Sequence, residues 1–294
     1  MGKKYILENE TLKIEVSVIG AELQSLYDKK TGIEYLWQPG ADIWPHHSML
    51  LFPNPGRIAD DRTIIGGKVY PATMHGFAND MEFSVMEADD THLLLQLSAT
   101  EETRKSFPYE FRFQVEFSLT EDMLQETFRV INDDDKCIYF SLGAHPGFYC
   151  PIVLGEKPEE YVLSFDKPQN IDELELQENT RLLTGKRNSY LSKETDIRLG
   201  NHFFDNGPKV LEGIEAETIT LKSEVSGHFV EMGIKDFPYL CLWGPSTRMS
   251  MICVEPWCGV SDLMDTDHVW ETKLGIESVE VNEMFQRMLT FRVG

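Results

Sequence analysis

The sequence predicts an all-β protein built as one large antiparallel β-sandwich. Short alternating or apolar runs recur along the chain with turn residues between them, and helical patterns are nearly absent. Strands at this spacing, joined by hairpin signals instead of helices, are typical of antiparallel sandwiches and barrels. The length of 294 residues suits one large β domain, and no linker or internal repeat divides the chain. We therefore expect a single domain over residues 1–294.

The predicted strands follow one another from the N-terminus. The clearest alternation is at 12–18, and a Lys-Lys-Thr-Gly turn at 29–32 closes the run that follows it. Further runs fall at 93–97, 111–119, 124–130, 137–142, 218–222, 227–234, 239–243, 249–254 and 287–293. A helical signal at 100–106 is one or two turns long, because Pro108 ends it. The stretch 155–200 is charged and irregular, and we interpret it as loop.

Composition excludes several classes of partner. The 49 acidic and 27 basic residues give a formal net charge of -22. Such a field repels phosphate backbones, so we expect neither nucleic acid nor an anionic membrane as a partner. No apolar run is long enough for a membrane span. The five cysteines form no Cys-x-x-Cys pair, which favours a reducing cytoplasm.

His145 is the most informative candidate residue. It lies in the segment 143–148 (Gly-Ala-His-Pro-Gly-Phe), and a residue before proline is held in an extended or turning backbone. The apolar run 137–142 precedes it, so we expect the imidazole at the end of a strand, facing a cleft. Histidine exchanges protons near neutral pH. The alternative is a hydrogen-bonded, half-buried histidine without a catalytic role.

Three other segments place an ionisable residue beside Gly or Pro in the same way. Glu255 ends the apolar run Met-Ile-Cys-Val, and a buried carboxylate is costly unless it is partnered or functional. His75 precedes a glycine and Arg57 follows one, so a turn cap or a surface arginine would also account for them. Together, a carboxylate, two histidines and an arginine without metal-ligand spacing suit proton transfer at a neutral polar substrate.

Aromatic residues lie close to these positions in the sequence. Flat aromatic faces stack on the C–H surface of a sugar ring, although core packing explains aromatics equally well. We expect a sugar-binding surface drawn from Trp243, Trp257, Phe77, Phe148 and Tyr149, with Trp243, Trp257 and Phe148 as the substrate-binding candidates.

These segments resemble the aldose 1-epimerase (galactose mutarotase) family, in particular its LacX-like and mutarotase-related bacterial branch. The resemblance covers nearly the whole chain, and its specificity comes from the order of its segments. They are 20–23 (Gly-Ala-Glu-Leu), 53–58 (Pro-Asn-Pro-Gly-Arg-Ile), 74–78 (Met-His-Gly-Phe-Ala), 107–111 (Phe-Pro-Tyr-Glu-Phe), 143–148, 239–243 (Tyr-Leu-Cys-Leu-Trp) and 255–259 (Glu-Pro-Trp-Cys-Gly). The resemblance implies a galactose mutarotase-like supersandwich and cofactor-free interconversion of the α and β anomers of a hexose.

The resemblance also implies roles for individual residues. Glu255 resembles the general base that deprotonates the C1 hydroxyl, and His145 resembles the general acid that protonates the ring oxygen. His75 and Arg57 match residues that bind the sugar near that oxygen. The sugar-binding Asp of the family falls on Asp205 or on Asn206, within Asn-His-Phe-Phe-Asp-Asn-Gly-Pro at 201–208, where Gly-Pro departs from the family pattern.

Two alternatives stay open. A hexose-6-phosphate 1-epimerase with the same fold would need further Arg or Lys in the pocket, and Arg57, Arg62, Lys68 and Arg248 are available. A sugar-binding or sensing protein would keep the fold without turnover. We expect no metal and no cofactor, a small-molecule hexose as ligand, and a monomer or homodimer.

Overall fold

The computed structural model describes residues 2–39, 43–246 and 248–294, which form β-strands and single turns of 3-10 helix. A first sheet contains β1 (Lys4–Glu8), β2 (Leu12–Ser17), β3 (Leu23–Asp28) and β4 (Ile33–Glu34). There are also two small two-stranded sheets. One pairs β6 (Arg62–Ile65) with β7 (Lys68–Pro71), and the other pairs β12 (Ile138–Phe140) with β21 (Glu277–Val279). The 3-10 turns are Ala59–Asp61, Ala78–Asp80, Thr103–Lys105, Pro158–Glu160 and Trp270–Thr272. No helix in these ranges is long and apolar enough to cross a membrane.

The main sheet has 14 described strands. They are β5 (Ser48–Leu51), β8 (Ser84–Ala88), β9 (His92–Ser98), β10 (Phe111–Thr120), β11 (Met123–Asn132), β13 (Leu142–Tyr149), β14 (Tyr161–Leu176), β15 (Leu183–Arg198), β16 (Lys209–Glu212), β17 (Thr218–Ser223), β18 (Phe229–Gly233), β19 (Tyr239–Trp243), β20 (Met251–Cys258) and β22 (Met284–Val293). Their spatial order is β5-β13-β20-β19-β16-β14-β17-β18-β22-β11-β10-β9-β8, with β15 paired to β14. All ladders between the described strands are antiparallel.

The main sheet folds back on itself into a sandwich. Phe52, directly after β5, stacks on Phe113 of β10 with ring centroids 4.6 Å apart. Phe148 of β13 contacts Phe291 of β22 with tilted rings whose centroids lie 6.4 Å apart. These strands lie far apart in the sheet order, so their contact brings the two halves face to face around a shared apolar core. The all-β, antiparallel sandwich predicted from the sequence is confirmed.

The strands β5, β13, β20 and β19 are buried on both faces. Even-numbered side chains such as Leu50, Ala144 and Val254 join the sandwich core. Odd-numbered side chains such as Met49 and Trp257 form a second cluster on the opposite face. Because side chains alternate along a strand, one face of each of these strands packs in the sandwich core and the other face packs in the second cluster.

Two local expectations were wrong. The stretch 155–200 is not loop, since β14 and β15 are 16-residue strands that pair across several register shifts. Those shifts break the two-residue alternation, and most side chains of β15 are exposed, so the pattern was hidden. His145 and Glu255 lie inside β13 and β20, not at their ends.

Glu126 is an acidic residue in the sandwich core. It is 1% exposed on β11, and neither of its carboxylate oxygens has a hydrogen-bond partner among the described residues. Burial raises the pKa of Glu126 to about 8. The folded protein therefore keeps a proton that the unfolded chain loses near pH 4.5, and the fold loses stability as the pH rises between those two values.

We expect Glu126→Gln to stabilise the protein, with a gain that is near zero below pH 4.5 and grows up to pH 8. The limit is about 5 kcal/mol, from the difference between the two pKa values. Urea unfolding of both proteins at pH 5 and pH 8 measures it. Glu121→Gln, at an exposed position on the adjacent turn, controls for net charge. An identical gain at both pH values would contradict this account.

Candidate active site

One row of side chains across five neighbouring strands forms the floor of a cavity of about 530 Å³. The row runs from Met49 through His145, Glu255 and Cys241 to Val210, and all five line the cavity. It lies on the sheet face turned away from the sandwich core. The floor is therefore set by strand register, which holds side chains more rigidly than loops do.

The ladder between β13 and β20 is interrupted where His145 faces Glu255. Hydrogen-bonded pairs lie on either side of this position, and each strand carries a proline next in sequence, Pro146 and Pro256. Proline has no N–H to donate, which explains the gap. Across it, His145 Nε2 lies 3.3 Å from Glu255 Oε2.

Both members of this pair are buried, His145 at 6% exposure and Glu255 at 1%. Burial raises the pKa of Glu255 well above its usual value, and the nearby Cys241 thiol and Trp257 indole lower it only in part. Burial also lowers the pKa of His145 well below its usual value. Since both charged forms are disfavoured, the pair as a whole holds one proton around neutral pH.

His75 is fixed beside this pair as a neutral hydrogen-bond donor. Its ring lies 5.6 Å from that of His145, and burial lowers the pKa of His75 to about 4. The backbone N–H of Gly56 donates to His75 Nδ1 at 3.1 Å. Nδ1 is therefore the acceptor, which leaves the proton on Nε2. The cavity thus gains a donor that stays neutral at physiological pH.

Aromatic rings form the walls above the floor. Trp44 stacks on His145 with ring centroids 4.7 Å apart and an interplanar angle of 22°. Trp243 meets Trp44 edge-on at 6.0 Å, and Trp257 also lines the cavity. Such rings present flat apolar faces beside polar groups, as sugar rings require.

Arg57 lies at the cavity rim, where hydrogen bonds to its backbone and an ion pair to its side chain hold it in place. Its backbone N–H donates to Ser261 Oγ at 2.9 Å, and its side chain pairs with Asp61 at 3.1 Å. The next residue after Ser261 is Asp262, whose backbone N–H donates to the Arg57 carbonyl at 2.9 Å. Asp262 in turn forms an ion pair with Lys273 at 2.8 Å, with both side chains buried.

Arg181 is a second arginine of the cavity wall, and no motif in the sequence points to it. It forms no ion pair among the described residues and packs over Gly207, where a Cβ atom would lie 2.4 Å from its Nη1. Gly207 also has φ +86°, a backbone conformation that favours glycine. Glycine is therefore required here both by the backbone and by the close approach of the arginine. The segment that carries Arg181 is also bonded to Asp262, because the backbone N–H of Leu183 donates to the Asp262 carbonyl at 2.8 Å.

The structure brings together most of the side chains singled out in the sequence. Arg57, His75, His145, Trp243, Glu255 and Trp257 all line the cavity.

Three candidates lie elsewhere. Phe148 is buried in the sandwich core, because it is three residues from His145 and so points to the other face of β13. Asp205 is 50% exposed and pairs with His202 at 3.0 Å, outside the described lining of the cavity. Asn206 is exposed beside it and also lies outside. Pro208 and Arg181 occupy that part of the wall instead.

Comparison with known proteins assigns the chain to a family. Residues 3–274 match the family model described as aldose 1-epimerase. The chain belongs to the aldose 1-epimerase family.

Curated relatives and solved structures match the chain over nearly its whole length. The chain is 29% identical over 280 residues to the chromosomal and the plasmid LacX proteins of Lactococcus lactis subsp. lactis, with 93% of each chain covered. A galactose mutarotase related enzyme from Lactobacillus acidophilus superposes with a TM-score of 0.94 at 28% identity, covering 99% of this chain and 97% of the other. A galactose mutarotase-like protein from Lactobacillus casei gives 0.93 at 29%, covering 99% and 100%.

Lys273→Met should destabilise the fold by about 3–5 kcal/mol, because it leaves the Asp262 carboxylate buried without its cation. Guanidinium unfolding measures the loss, and Lys273→Met/Asp262→Leu should recover part of it. Lys4→Met is the matched control, since Lys4 pairs with Glu15 on the exposed surface, where such pairs contribute below about 1 kcal/mol. Equal losses in the two single variants would show that the buried pair has no special role.

Proposed function

We propose that the protein is a mutarotase that interconverts the α and β anomers of a free hexose. The observation that carries this proposal is the buried His145–Glu255 pair, whose Nε2 and Oε2 atoms lie 3.3 Å apart on the floor of a cavity with aromatic walls. Family membership supports the reaction class. The five cysteines, all unpaired, favour action in the cytoplasm.

Anomer exchange needs one proton accepted and one donated at the same time. Glu255 takes the proton of the C1 hydroxyl while His145 delivers a proton to the ring oxygen, so the C1–O bond of the ring breaks and the C1 carbonyl forms. After rotation about C1–C2, the two transfers reverse and the ring closes on the other face. A pair that holds one proton in total meets this requirement at every stage.

The proton must lie on His145 when the cycle begins. In the free protein, burial favours the neutral forms of both groups. We infer that sugar hydroxyls, on entering, donate hydrogen bonds to Glu255 and replace the solvation that burial removed. The proton then moves to His145 across the 3.3 Å gap.

The surrounding residues orient the sugar. The Nε2 proton of His75 is available to a sugar oxygen near the reacting bond, since its Nδ1 is already engaged. Arg57 supplies a permanent cation at the rim. Trp44, Trp243 and Trp257 offer faces on which the C–H surface of the ring stacks.

Glu255→Gln and His145→Asn should each reduce turnover at least about 100-fold, because each removes one of the two proton-transfer groups. Polarimetry of freshly dissolved α-D-galactose and α-D-glucose measures the rate of approach to anomeric equilibrium. Asp205→Asn is the control and should retain activity, since the side chain lies outside the cavity lining. Near-normal rates in folded Glu255→Gln would refute the mechanism. A folded wild-type protein that binds these sugars without accelerating exchange would be the non-catalytic sugar binder.

A hexose 6-phosphate is the second candidate substrate, and Arg181 favours it. Of the four basic residues considered from sequence, Arg57 is the member that lines the cavity, and Arg181 joins it there. An arginine in the cavity lining can bind a phosphate that lies away from the anomeric carbon.

If the phosphate is bound there, Arg181→Met should raise the KM for glucose 6-phosphate by about 10- to 100-fold, the value of a charge-assisted hydrogen bond. The KM for glucose should not change. Exchange NMR at anomeric equilibrium measures both substrates. Arg62→Met is the control, because Arg62 is exposed and lies outside the cavity lining. Equal KM changes for the two sugars would exclude phosphate recognition by Arg181.

A further inference from the structure

Three metal-ligand side chains converge beneath the cavity. One ligand atom each from His145, Cys253 and Glu255 lies within 4.8 Å of the other two, and all three residues are buried. Cys253 and Glu255 are two residues apart on β20 and so share one face, while His145 faces them from β13. Ligands of a tetrahedral Zn²⁺ lie roughly 3–4 Å apart, so small side-chain adjustments suffice to enclose an ion.

We propose that His145, Cys253 and Glu255 form a binding site for a soft divalent cation such as Zn²⁺, and that the bound ion inhibits the enzyme. The ion is not a cofactor in this proposal, since it ties up both proton-transfer groups. The inhibition rests on the proposed function, whereas the binding site does not.

The donor set fits the chemistry of zinc. Thiolate, imidazole and carboxylate are all ligands that Zn²⁺ accepts, and three protein ligands leave a fourth position for water. Binding releases the thiol and carboxyl protons to solvent, and the two resulting negative charges balance the ion. The complex is then neutral overall, which a buried site tolerates far better than an isolated ion.

Two features leave the site available. Glu255 Oε2 has no hydrogen-bond partner in the described part of the chain and lies 3.3 Å from His145 Nε2, which is the separation of two ligands on one tetrahedral ion. A Cβ atom on Gly147 would approach Met251 Cε and the Trp44 ring to 2.9 Å each, and Cys253 Sγ to 3.4 Å. Glycine at this position therefore lets Trp44 and Met251 pack beside the thiol. His145 and Glu255 both line the cavity, which gives the ion its entry route.

Binding can be tested without any sugar. Metal-free protein is titrated with CoCl₂ while the sulfur-to-cobalt charge-transfer absorption is followed, and ZnCl₂ is then added as competitor. We expect one equivalent of Co²⁺ to produce the band and Zn²⁺ to abolish it. Cys253→Ser and Cys253→Ala should both lose the band and weaken Zn²⁺ binding, measured by calorimetry, at least tenfold, since even the loss of an outer-shell partner of a metal site commonly costs about 10–100-fold.

Cys241→Ser is the matched control. Cys241 is a buried cysteine that lies opposite Glu255 in the ladder but does not belong to the cluster, so this variant should keep the band. A band that survives in folded Cys253→Ala, or that disappears in Cys241→Ser alone, would overturn the proposal. Co²⁺ binding without a thiolate band would also overturn it, since surface pairs such as His202 with Asp205 would then account for the ion.

The inhibitory part has its own readout. Zn²⁺ should slow wild-type anomer exchange and a chelator should restore it, while Cys253→Ala should be insensitive to the same Zn²⁺ concentration. If the protein shows the cobalt band but no anomer exchange with either class of sugar, the proposed function fails and the metal site stands. Equal Zn²⁺ inhibition of wild type and Cys253→Ala would refute inhibition through this site.

Discussion

The strands β5, β13, β20 and β19, at one end of the main sheet, are buried on both faces, and the rest of the molecule depends on this constraint. One face closes the sandwich core, and the other carries the cavity floor. A polar side chain on the second face therefore lies in an apolar, rigid setting where its proton affinity is far from that in water. Because the same backbone serves both faces, any shift in register that disturbed the core would also dismantle the row containing His145 and Glu255.

Much of the site was predictable from residue type and local sequence. Glu255 is recognisable because a carboxylate in an apolar run is costly to bury unless it is partnered or functional. His145 is recognisable because glycine and proline surround it. The misplacement of Phe148 was avoidable, since an odd separation from His145 puts it on the opposite face of a strand. Fold class followed equally directly from the spacing of the strands.

Other parts were beyond sequence reasoning. Arg181 lies in an exposed turn between β14 and β15, two strands whose sequences predict a loop. Its place in the cavity wall depends on Gly207, which is distant in sequence. Trp44 reaches the site through stacking on His145, a contact between segments that no local pattern connects. The Cys253 grouping likewise needs the register of β13 against β20. Each of these requires knowing which strands are neighbours, and sheet order is a long-range property.

Asp262 connects the segment that carries Arg57 to the segment that carries Arg181, and the two are remote in sequence. Its backbone binds both the Arg57 carbonyl and the Leu183 amide, and Lys273 locks its side chain in place. The two arginine-bearing segments are thereby tied together through the backbone of Asp262. Any change that loosens the buried Asp262–Lys273 pair therefore reaches both segments of the cavity lining at once, although they are distant in sequence.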